Sequence, residues 1–175
     1  MAARPVWGYR VTFVVLSAGI LFFALVPFGV GERAWPGPEL MVCLTAAWVL
    51  RRPDYVPVWL LLPLLLLDDA LLLRPLGLWT LLVLLLSEYL RRRVDHAEAL
   101  PFGSELFLVA GGIVAVFVAN HLALVLLLAE TPPVHGQALH ALATIVFYPG
   151  VALVSEVVGV RRLAPGELDS LGSRA

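Results

Sequence analysis

Two adjacent carboxylates, Asp68 and Asp69, interrupt a run of leucines. Inside a membrane an ionised carboxylate is costly unless it is paired, hydrated or protonated, so such a pair marks either an interaction site or a proton-linked site. Adjacent helical residues point about 100° apart, so the two cannot share one partner symmetrically. A plainer reading sets one Asp in a water-filled crevice and the other against a neighbouring helix. Candidate partners at matching depth are Asn120, His121, His140 and Thr144, with Glu39 on the same side. Shared depth alone motivates the expectation that His121 or His140 is the nearest titratable partner of the pair. Glu88 stands three and four residues before Arg91 and Arg92, spacing that allows an ion pair on one helix face. Glu156 can reach Arg51 or Arg52 across helices. Four scattered histidines and one cysteine, Cys43, give no metal spacing and no internal disulfide, and there is no Gly-rich phosphate loop. The expectation is therefore a non-enzymatic protein without cofactor or metal and without a nucleic-acid partner.

The elements that must hold these residues are membrane helices. The chain has 175 residues, 61% of them hydrophobic, with a mean hydropathy of +0.92; a soluble domain is nearer half apolar. A spanning helix needs roughly 20 apolar residues. Runs over 9–28, 54–73, 105–129 and 137–158 meet or approach that length, and shorter runs over 38–50 and 76–90 are read as spans that thin the bilayer or lean on neighbours. The expected fold is thus an all-α integral membrane domain of six helices over 1–160, with a short cytoplasmic tail over 161–175. The first run is too long for a typical signal-peptide core and lacks a clear cleavage site, so it is read as a signal anchor.

Charge sets the orientation. Arg4, Arg10, Arg51, Arg52, Arg91, Arg92, Arg93, Arg161, Arg162 and Arg174 fall on one set of alternate connections, and Arg33 and Arg74 on the other. The positive-inside rule then puts both termini in the cytoplasm. Trp7, Tyr9, Trp35, Tyr55, Trp59 and Tyr89 lie near predicted span ends, as interfacial aromatics do. Pro36 and Pro38 suit the start of the second helix, with Glu39 in its first turn. Gly111 and Gly112, with Ala115 and Ala119, make a small-residue face that lets another helix approach closely, whether from this chain or another. Arg91 to Arg93 form a basic cluster, read first as a topology signal.

The stretch PDYVPVWLLLPLLLLDDALLLRPLGLWTLLVLLLSEYLRRR, Pro53 to Arg93, resembles the bacterial rod shape-determining MreD family in its alphaproteobacterial form. The matching features are Arg52-Pro53-Asp54, the acidic pair Asp68-Asp69, the turn Arg74-Pro75-Leu76-Gly77, and Glu88 with the arginines after it. The entry to the second helix, Pro36 to Val42, is also similar. Length and the six-span reading agree, so the resemblance extends over nearly the whole chain.

That resemblance implies a scaffold of the cell-elongation machinery in the bacterial inner membrane. MreD-like proteins work with MreC, a single-span protein, with the actin-like MreB on the cytoplasmic side, and alongside RodA and a class B penicillin-binding protein in lateral peptidoglycan synthesis. It also implies a distant likeness to the substrate-binding membrane subunits of energy-coupling-factor transporters. On the scaffold reading Asp68, Asp69 and Arg74 stabilise the hairpin of the third and fourth spans or contact a partner just outside the membrane. The rival is a small-molecule binding or transport subunit whose outward pocket uses Asp68, Asp69, Asn120, His121 and His140.

Overall fold

The computed structural model describes residues 6–25, 37–96, 102–129 and 131–160, with only the backbone at 95 and 96. Arg4, Arg33, Trp35, Pro36, Arg161, Arg162, Arg174, the end of the first predicted span and the 161–175 tail lie outside them. The described residues form α1 (Val6–Leu25), α2 (Leu40–Arg51), α3 (Val58–Leu71), α4 (Leu78–His96), α5 (Phe102–Leu126) and α6 (Val134–Val157), with a 3-10 turn at Pro53–Tyr55 and no strand among them. α1, α5 and α6 are long and apolar enough to cross a membrane. Many of their large apolar side chains stay on the outside, among them Phe22, Phe23, Phe107, Leu122 and Leu153. A water-facing surface would not carry that much hydrocarbon, and the chain is a membrane protein.

α2 is the core. Ten of its twelve residues are buried, and it packs chiefly on α6 and α4, with α1 beside it. At about 1.5 Å per residue it is only ~18 Å long. Such a short helix is workable because its neighbours, rather than lipid, surround it. Small side chains bring α6 close: Cys43 donates its thiol to the Thr144 carbonyl at 3.3 Å. On the α1 side Trp48 packs against Phe13 with ring centroids 5.2 Å apart.

Helix ends differ from the sequence expectation where specific bonds decide them. α3 begins at Val58 rather than at Asp54, because Pro53–Tyr55 forms the separate turn. α4 begins at Leu78 and runs on through Arg91–Arg93 to His96; arginine is a good helix former, so the polar end does not stop the helix. Gly77 has φ +86°, a left-handed conformation that glycine adopts without steric cost. α3 and α5 each close with a backbone bond spanning six residues, Arg74 N to Asp69 O and Ala129 N to Leu124 O, both 3.0 Å. The residue inside each closure is a leucine at φ 53°, Leu73 and Leu128.

Candidate functional site

Polar side chains gather at the two ends of α2. The cluster at its beginning draws on five elements. Asp69 ends α3 with its side chain turned toward the start of α4, where Oδ2 accepts from the Gly77 N–H at 2.9 Å, the Thr80 N–H at 3.3 Å and the Thr80 hydroxyl at 2.9 Å. It caps the start of a helix that begins nine residues further on, satisfying amides that have no intrahelical partner. Asp68 points elsewhere, as the 100° offset requires, and lies 3.8 Å from the Arg74 guanidinium. Arg74 also pairs with Glu39 and sits over the Trp79 ring, 4.9 Å from its centroid. His140 on α6 has Nε2 3.3 Å from Glu39 Oε1. The Glu39 N–H donates to the Thr144 hydroxyl at 3.0 Å, and that hydroxyl donates back to the His140 carbonyl at 2.8 Å. Rings continue the network: His140 packs on Phe117 and Phe117 on Trp79, edge to face.

Of the residues singled out from sequence, Asp68, Asp69, Arg74, Gly77 and His140 therefore meet in this cluster, with Glu39. His121 and Asn120 do not join it. His121 lines a groove of about 390 Å³ between α5 and α6 with Val118, Gln137 and Ile145, and its Nδ1 is buried without a hydrogen-bond partner. Asn120 is half-buried on α5. The expectation that an imidazole is the nearest titratable partner of the Asp pair is corrected: Arg74 takes that place, and His140 faces Glu39 instead. The two histidines lie on different helix faces, His140 toward Glu39 and His121 in the groove between α5 and α6.

The cluster at the other end of α2 centres on Arg51. Its Nη1 donates to Glu105 Oε1 at 3.2 Å and to the Ala47 carbonyl at 3.1 Å, and its Nη2 to Glu156 Oε1 at 3.1 Å. The Tyr148 hydroxyl donates to Glu105 Oε1 at 2.5 Å. Arg51 thus ties α2 to α5 and α6. The link to Glu156 follows the sequence reading, whereas Glu105 and Tyr148 were missed. Beside this cluster, Arg91 donates to the carbonyls of Pro53 at 3.0 Å and Val56 at 2.9 Å. Glu88 pairs with Arg91 at 3.7 Å and Arg92 at 3.1 Å, as its spacing implies.

These arrangements bind helices to one another. Among the described residues no group of three His, Cys, Asp or Glu side chains is placed to hold a metal ion. A second groove, about 490 Å³, opens between α4 and α5 over Leu82, Leu85, Gly111, Ala115 and Ala119. Gly112, one step round the helix, faces inward: a Cβ there would lie 2.4 Å from Leu86 Cδ1, while a Cβ at Gly111 would meet nothing within 4 Å. Both glycines line that groove, and Gly112 in addition packs against the Leu86 side chain of α4.

No family model, curated protein or solved structure matches the chain.

Proposed function

We propose that this protein is a six-span, non-enzymatic scaffold of the bacterial rod complex, with both termini in the cytoplasm, that binds MreC within the inner membrane. Two strands support the reading. One is the resemblance of Pro53–Arg93 to the MreD family. The other is what that segment does in the fold: its acidic pair and turn are engaged inside the molecule, with Asp69 capping α4 and Arg74 bridging Asp68 to Glu39. The single observation that favours the scaffold over the transport reading is that Asp69 and Arg74 tie helix ends together, while His121, which the pocket also requires, lines a separate groove between α5 and α6.

Recognition then falls to lipid-facing helix surfaces. The groove between α4 and α5 has the small-residue floor that a partner helix can approach closely. Co-purification of MreC tests this. Gly111→Leu fills the groove without touching internal packing, so it should leave protein level and melting unchanged and cut MreC recovery severalfold. Gly112→Leu instead collides with Leu86 and should lower stability by about 1–3 kcal/mol. Full MreC recovery with Gly111→Leu would remove this groove from the interface.

A further inference from the structure

No carboxylate among the described residues pairs with Arg10, and unlike the exposed Arg93 it is partly buried. Arg51 is held by two carboxylates, Arg74 by Glu39 and Asp68, and Arg91 and Arg92 by Glu88. Arg10 has neutral partners. Its Nη2 donates to the Asp54 carbonyl at 3.2 Å, its Nε is buried without a hydrogen-bond partner, and its guanidinium lies 5.8 Å and 5.5 Å from the ring centroids of Trp7 and Trp59.

The surroundings have the shape of a lipid. Trp7 and Trp59 lie 6.5 Å apart and are 65% and 57% exposed. From Trp7 an exposed stripe runs along α1 through Val11 and Val15, and from Trp59 another along α3 through Leu62 and Leu66. Spacings of three and four keep each stripe on its tryptophan's face. α1 and α3 pack together, so the two stripes leave the Arg10 corner as a pair of apolar tracks. Indoles favour the headgroup level, where one edge is apolar and the other wet. A fixed cation at that level, above two hydrocarbon tracks, is complementary to a phosphate diester carrying acyl chains.

We propose that Arg10, Trp7 and Trp59 form a binding site for an anionic phospholipid, with the headgroup phosphate on the guanidinium and the chains along Val11–Val15 and Leu62–Leu66. The site rests on the membrane reading and is independent of the scaffold role.

Native mass spectrometry of the full chain in dodecyl maltoside micelles tests it, using phosphatidylglycerol and phosphatidylethanolamine with identical chains. The wild type should retain phosphatidylglycerol severalfold more than phosphatidylethanolamine. Arg10→Gln should lower that preference roughly fivefold, the worth of one basic residue near a lipid surface. Arg93→Gln, which alters an exposed arginine resting on Tyr89, should leave it intact. Equal retention of the two lipids by the wild type overturns the proposal without reference to any variant, which covers the case that Arg10→Gln fails to fold. Equal losses with Arg10→Gln and Arg93→Gln also overturn it, since the preference would then be diffuse charge. Displacement of phosphatidylglycerol by low millimolar inorganic phosphate overturns the lipid assignment in favour of a free-phosphate site.

Discussion

Arg51 and Glu105 face each other at 3.2 Å with 1% and 4% of their side chains exposed. One stands at the last turn of α2 and the other in the first turn of α5, so a single ion pair fixes where two distant segments meet. Removing one partner of a buried pair strands the other charge, which costs about 3–5 kcal/mol, whereas replacing both by apolar residues is often neutral. Arg51→Met is therefore expected to lower the melting stability in micelles by that order. Here Glu156 and Tyr148 remain, so the double variant Arg51→Met with Glu105→Met should recover only part of the loss. Melting curves of the wild type, both single variants and the double variant give the coupling directly. Additive losses would show that the two residues do not act as a pair.

Asp69 tests the hairpin. Asp69→Leu removes the acceptor of the Gly77 and Thr80 amides and should cost about 2 kcal/mol, the range for a lost cap that leaves buried donors unpaired. Asp69→Asn keeps an oxygen in place and should cost less than half as much. Hydrogen exchange at the amides of Gly77 and Thr80 should accelerate in the leucine variant and stay slow in the asparagine variant. Unchanged exchange in Asp69→Leu would mean that the cap does not hold the start of α4.

The cluster around Arg74 is unbalanced in charge. Glu39 and Asp68 share one guanidinium, and Asp68 Oδ2 has no hydrogen-bond partner. Arg74→Gln leaves the carboxylates without their cation and should destabilise by about 3 kcal/mol. Asp68→Asn removes a repulsive, weakly held charge and should fall within about 1 kcal/mol of the wild type, on either side. Equal losses in the two variants, measured by thermal melting in the same micelles, would contradict this ranking.

Leu73 is 93% exposed and sits at φ 53°. A left-handed conformation costs an L-residue roughly 1–2 kcal/mol, and little packing is lost with the side chain. Leu73→Gly should raise stability by about 1 kcal/mol after the added freedom of the unfolded chain is counted. A lower melting temperature would show that the exposed leucine has a contact in the micelle or membrane that outweighs the strain.

The helices were legible in the sequence because apolar length and Pro, Gly and Arg punctuation mark them directly. The Glu88 and Arg92 pair was legible because both lie on one helix, where spacing fixes geometry. Rotation about each axis was not legible. α3 and α5 are apolar almost all round, so hydrophobic periodicity says little about which side faces in. That is why the place of His121 on α5, in an open groove rather than the polar cluster, could not be read from the sequence. Arg51 and Arg52 illustrate the same limit. As neighbours in sequence they read as one topology signal, yet Arg51 is buried against two glutamates while Arg52 is half-buried. Tyr148 was invisible for a further reason: its role depends on Glu105, 43 residues away, and only the packing of α5 on α6 brings them together.

The most direct test of the scaffold account is cell width, measured by light microscopy, after depletion of this protein in its own host with nutrient uptake followed in parallel. The account predicts rods that widen into spheres while uptake continues, with width restored by the wild-type chain but not by Gly111→Leu. Rods of unchanged width would contradict it and bring forward the transport-subunit reading.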